Sequence, residues 1–167
     1  MPEPTSRSAR PAPAAHRVGF ERPDSHDPYR ARGKLREPVA CPDCGAVQEA
    51  GRWRWREALP GAVKVRCPAC RRVHDGLPAG EIRLSGDFLA DHRDEVMARV
   101  THVADRARKR YPLQRIMQVD QDGADVRITV TSPHLARSLG LALHESFKGE
   151  LELDTHAQGG PRVRWSR

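Results

Sequence analysis

All four cysteines of the chain fall in two Cys-Pro-x-Cys pairs, Cys41-Pro42-Asp43-Cys44 and Cys67-Pro68-Ala69-Cys70. Two thiols three residues apart can grip one metal ion from a tight turn, and two such turns complete a tetrahedron of soft sulfur donors. That donor set suits Zn²⁺ and leaves no coordination position for a substrate. The spacing therefore predicts one structural zinc per chain on Cys41, Cys44, Cys67 and Cys70. Proline after each leading cysteine presets φ for the turn, and Gly45 supplies the positive φ that lets backbone N–H groups face sulfur. A Cys-x-x-Cys pair can also be a redox dithiol, but that role calls for a single reactive pair opening a helix in a β-α-β unit. Here two pairs flank strand-like sequence. His74, four residues past Cys70, is a fifth possible ligand that four cysteines make redundant.

A second kind of chemistry is suggested by arginine. Arg52-Trp53-Arg54-Trp55-Arg56 alternates strictly, which on a strand puts two tryptophans on one face and three guanidinium groups on the other. Arg71 and Arg72 follow the second knuckle. Guanidinium forks bond two phosphate oxygens at once, so Arg52, Arg54, Arg56, Arg71 and Arg72 are the candidate nucleic-acid contacts. The same pattern is also met by tryptophans that pack and arginines that are simply solvated.

Net charge is +7, and it is unevenly spread: residues 1–80 carry 15 basic and 9 acidic side chains, against 14 and 13 in residues 81–167. A basic front half is the footprint of something that meets phosphate. Arginine outnumbers lysine by 25 to 4, which an arginine-biased composition would produce without any such partner. No apolar run approaches the roughly 18–20 residues that a membrane helix needs. Met1 to Ala15 has no hydrophobic stretch of the secretory kind, so the paired thiols predict a reducing, cytoplasmic setting.

The elements that must position these residues divide the chain in three. Residues 1–38 hold seven prolines and almost no large apolar side chains, and read as a disordered basic tail. Residues 39–79 read as a zinc ribbon in which Arg52–Arg56 and Val63–Arg66 form a hairpin across Leu59-Pro60-Gly61, with at least one tryptophan packing on the next domain. Residues 80–167 change period. Glu81–Leu84 reads as a strand, followed by a helix capped at Ser85 with Leu89, Val96, Val100 and Val103 on one stripe and His92 packed within it. The helix ends at Arg106–Arg110 before Pro112. Strands follow around Ile116–Val119 and at Val126, Ile128 and Val130. Pro133 then opens a helix with Leu135, Leu139, Leu143 and Phe147, and two final strands carry Leu151, Leu153, Val163 and Trp165. The expected fold class is α+β: a four-cysteine zinc ribbon, then a ferredoxin-like β-α-β-β-α-β domain with an extra C-terminal strand and both helices on one sheet face. The other face is polar and lacks the aromatics of an RNA-recognition-motif sheet.

These residues carry two likenesses. Cys41-Pro-x-Cys44-Gly45-Ala46, Gly51-Arg52-Trp53, Cys67-Pro68-Ala69-Cys70-Arg71, Leu84-Ser85-Gly86-Asp87-Phe88-Leu89 and His134-Leu135-Ala136-Arg137 resemble an uncharacterised bacterial family of short zinc-ribbon proteins. More loosely, Gly123-Ala124-Asp125-Val126 and Thr131-Ser132-Pro133-His134-Leu135-Ala136-Arg137 are similar to a pattern in the nuclear-export adaptor of the large ribosomal subunit and its archaeal counterparts. That resemblance implies ribosome- or RNA-associated ancestry. The chain differs in having one zinc motif instead of two and in lacking the downstream domains, so only the four cysteines transfer residue by residue. No nucleophile elbow, phosphate loop or His-Glu-x-x-His spacing is present. The expectation is a non-enzymatic protein that binds RNA or ribosomal particles through its basic N-terminal half, or an adaptor whose α+β domain binds a partner protein.

Overall fold

The computed structural model describes residues 27–29, 37–155 and 160–167. Most of the expected tail, 1–26 and 30–36, lies outside the described residues.

The cysteines are carried by a small module. Strands β1 (Val39–Ala40), β2 (Val47–Glu49), β3 (Arg52–Arg54) and β4 (Val63–Lys64) lie in the order β3-β2-β1-β4, followed by helix α1 (Pro68–Asp75). The expected hairpin between the Arg-Trp run and Val63–Arg66 does not form. β3 pairs antiparallel with β2, while β4 runs parallel to β1. The β2–β3 connection is the two-residue turn Ala50-Gly51, with φ of 49° and 72°. Two consecutive positive φ angles match the right-handed twist of a hairpin. The Glu37 carboxylate steadies this turn by accepting from the N–H groups of Ala50 (2.7 Å) and Gly51 (2.8 Å).

The second unit comprises β5 (Gly80–Ser85), α2 (Asp87–Asp91), α3 (Arg93–Arg110), β6 (Ile116–Asp122), β7 (Asp125–Val130), α4 (Pro133–Phe147), β8 (Glu150–Asp154) and β9 (Arg162–Ser166). Its sheet order is β6-β7-β5-β9-β8. The C-terminal strand β9 is inserted parallel to β5, so β8 is displaced to the edge. Ile82, Leu84, Val126, Ile128, Val130, Val163 and Trp165 form one face of this sheet, and they are buried together with Val96, Val100 and Ala104 of α3 and Leu135, Leu139 and Leu143 of α4. Both long helices thus cover one face, as the periodicities predicted.

The first helical stretch is broken where a single helix was expected. α2 and α3 meet at His92, and the N-cap of α2 is Gly86 (φ 100°, ψ 166°), not Ser85. A Cβ on Gly86 would lie 2.4 Å from the carbonyl oxygen of Arg167, which accepts from the Phe88 N–H at 2.8 Å. Arg167 therefore caps the start of α2, while the break itself falls at His92. His92 is exposed, stacked 4.0 Å from the Phe88 ring, and not packed in the apolar stripe.

The opposite sheet face is a charged lattice. By register, Asp120, Arg127, Arg83, Arg164 and Glu152 form one row across all five strands. Arg127 pairs with Glu81 (2.9 Å) and Asp120 (4.0 Å), Arg83 with Asp122 (3.9 Å), and Arg164 with Glu152 (3.3 Å).

Candidate metal centre and the arginines around it

The first knuckle closes when the Cys41 N–H donates to Ala46 O at 2.8 Å and the Gly45 N–H to Cys41 O at 3.0 Å, with Gly45 at φ 77°. The second knuckle is built differently from expectation. Cys67 is the N-cap of α1, with its sulfur accepting from the Cys70 N–H, and Pro68 sits in the first turn. Proline suits that position because its missing N–H would have had no partner there. A pair opening a helix is the local arrangement of a redox dithiol. Here, however, the sulfurs of Cys41, Cys44, Cys67 and Cys70 all lie within 4.8 Å of one another, with Cys44 and Cys67 at 3.8 Å. Metal–sulfur bonds of about 2.3 Å in a tetrahedron imply sulfur separations of about 3.8 Å. The four cysteines form one cluster that could hold a single metal ion.

With no cation among the sulfurs, burial favours the neutral thiol at two of the four positions. Burial pushes the Cys67 thiol strongly up, and burial also raises Cys44. Cys41 is the exception: burial works against its thiolate, but backbone N–H groups of Cys67, Cys44 and Asp43 overcome it and bring the pKa down to about 7. Four sulfurs converging in a closed pocket, with Cys41, Cys67 and Cys70 each under a tenth exposed, fit a saturated metal site. His74 takes no part. It is exposed, with Nδ1 2.8 Å from the Asp75 carboxylate.

The structure adds a residue that the cysteine spacing could not reveal. Arg115 Nη2 lies 3.3 Å from the sulfurs of Cys67 and Cys70 and 3.9 Å from Cys44. Burial disfavours its charge, but the hydrogen bond to Cys70 and the surrounding thiolates outweigh that and raise its pKa. Thr131 fixes the Arg115 backbone, its Oγ1 accepting from the Arg115 N–H and its own N–H donating to Arg115 O, each at 2.9 Å. Trp53 and Leu113 pack beside the cluster. Arg115 stands 45 residues from Cys70 in sequence, and no local motif marks it.

The five candidate arginines separate into distinct environments. Arg52 and Arg54 are exposed on β3, and neither is ion-paired among the described residues. Arg56 pairs with Glu49. Arg71 is exposed, its guanidinium 5.2 Å from the centroid of the Tyr29 ring. Arg72 must be removed from the set. It is 7% exposed, paired with Asp27, bonded to Leu77 O at 3.2 Å and 4.5 Å from the Tyr29 centroid. Residues 27–29, inside the segment expected to stay outside any core, make this cover: Tyr29 is 5% exposed and its hydroxyl donates to Asp75 at 2.7 Å. The lone aromatic among charges was the only sequence signal for that contact.

No family model, curated protein or solved structure matches the chain.

Proposed function

We propose that this chain is a non-enzymatic zinc protein that binds RNA or ribosomal particles through the basic surface of its metal module. Zinc suits an all-sulfur, closed tetrahedral set, and in this reading its role is to hold β3 and α1 in place. The C-terminal unit is read as a split β-α-β sheet of ferredoxin-like descent, with β9 as its inserted fifth strand. A cytoplasmic setting belongs to the same proposal.

The observation that carries it is the pair Arg52 and Arg54, exposed on edge strand β3 without an acidic partner among the described residues. Arg71 is the third available cation. The sheet face opposite the helices is a poorer alternative, since Arg83, Arg127 and Arg164 there are already matched to carboxylates. A cleft of about 200 Å³ lies between α1 and that face, bounded by Val73, Met117, Gln118, Asp120, Arg127 and Thr129. Its two charged groups, Asp120 and Arg127, are 4.0 Å apart and partly neutralise each other. One observation favours an adaptor role instead: Leu141 on α4 and Leu153 on edge strand β8 are 46% and 38% exposed. Co-sedimentation with ribosomes and with extracted RNA tests the choice. Arg52→Gln/Arg54→Gln/Arg71→Gln should lose binding at salt where the wild type still sediments. Equal binding by both would hand the lead to the adaptor reading.

A further inference from the structure

This inference rests on the RNA reading and concerns where that site extends. Trp55 lies one residue past β3. Its indole Nε1 donates to Arg108 O at 2.6 Å, and the Arg108 guanidinium stands 5.9 Å from its ring centroid. One tryptophan therefore docks the metal module onto the C-terminal end of α3. That end carries Arg106, Lys109 and Arg110, all exposed. Positions i, i+3 and i+4 share a helix face, so these three cations form one stripe. Tyr111 follows, 48% exposed, with the Arg110 guanidinium 5.4 Å from its ring centroid.

Charge pairing differs between the two surfaces. Arg83, Arg127 and Arg164 of the sheet are matched to acids, whereas none of Arg52, Arg54, Arg106, Lys109 and Arg110 is ion-paired among the described residues. The negative end of a helix favours nearby cations. That accounts for a cation in the last turn, not for three on one exposed face beside a second set on β3. An exposed aromatic among such cations suits a strand whose base faces are free; a duplex keeps its bases stacked and presents only phosphate and groove.

We propose that β3 and the end of α3 form one surface for single-stranded RNA. Arg52, Arg54, Arg106, Lys109 and Arg110 contact successive phosphates, and Tyr111 stacks on a base. The Trp55–Arg108 contact sets the spacing between the two cationic groups.

The test uses the full zinc-loaded chain and a fluorescein-labelled oligouridylate of about 20 nucleotides, followed by anisotropy from about 50 to about 300 mM salt. Arg106→Gln/Lys109→Gln/Arg110→Gln should lower the slope of log affinity against log salt by about 2, at ~0.7 per lost contact to a single strand. Tyr111→Ala should weaken binding about tenfold with the slope unchanged. An RNA duplex of equal length should compete at least about tenfold less well. If the helix variant binds like wild type while Arg52→Gln/Arg54→Gln loses affinity, the site is confined to β3; this inference falls and the RNA reading stands. An unchanged Tyr111→Ala, or an equally effective duplex, overturns the single-strand assignment. No binding by the wild type overturns both readings. Should the triple variant lose zinc or helicity, Lys109→Gln and Arg110→Gln alone replace it, each expected to remove about 0.7 from the slope.

Discussion

Arg115 brings one positive charge onto a cluster of four sulfurs, with Nη2 at 3.3 Å from two of them. A divalent cation with four thiolates carries a net −2, and burying that charge without compensation is costly. A hydrogen bond to a charged group contributes about 1.5–3 kcal/mol. With zinc bound as proposed, Arg115→Gln should release it to a chromogenic chelator about tenfold faster or more, while Arg115→Lys recovers part of the difference. Identical release rates would show that the guanidinium does not support the thiolates. Gly86 is constrained in another way. At φ 100° and ψ 166° it occupies a region nearly closed to other residues, and a Cβ would strike the Arg167 backbone. Gly86→Ala should cost about 3 kcal/mol or more in urea unfolding. A loss below about 1 kcal/mol would mean that the terminus moves aside freely.

At the scale of elements, the two halves of the chain draw on different sources of stability. The cysteine-bearing module has strands of two or three residues and a small buried centre of its cysteines with Val39, Ala46, Val47 and Ala69. The five-stranded unit has its own core, in which Trp165 is 0% exposed. Replacing Cys44 with Ser leaves three sulfur ligands and should abolish stoichiometric zinc in elemental analysis. The environments of Trp53 and Trp55 should then open to water, seen as a red shift in part of the tryptophan emission, while the blue-shifted contribution of Trp165 and the helical circular dichroism persist. Loss of α3 and α4 in this variant would show that the second unit depends on the metal. Helix α1 ties these observations together, because its N-cap is a cysteine and its C-terminal end is covered by Tyr29.

Across the whole molecule, charge is sorted by surface. On the sheet face Arg83, Arg127 and Arg164 are balanced against carboxylates, whereas the cations of β3 and of the end of α3 are unpaired among the described residues. Tyr29 spans another seam, lying over Arg71 and Arg72 and bonding Asp75 at 2.7 Å. A cation–π contact contributes about 0.5–1 kcal/mol and a hydrogen bond about 1 kcal/mol. Tyr29→Ala should thus destabilise the metal module by about 1–2 kcal/mol, read as a lower midpoint in thermal zinc release. An unchanged midpoint would mean that residues 27–29 cover α1 without stabilising it.

What the amino-acid sequence determined alone is local. The two Cys-Pro-x-Cys pairs, the alternation of Val126, Ile128 and Val130, and the helical spacing of Leu135, Leu139 and Leu143 depend on neighbours within one turn or one strand. Backbone geometry imposes those periods whatever the rest of the chain does. Tertiary structure decided the rest: Arg115 over the sulfurs, Arg72 under Tyr29, Trp55 on Arg108, β9 between β5 and β8, and the start of α2 at Gly86, where Arg167 meets it. Each of these contacts joins groups dozens of residues apart, so its energy depends on a partner that no local pattern names. That is why the ligands were legible as cysteines, whereas the residues that support them were visible only once the chain had folded.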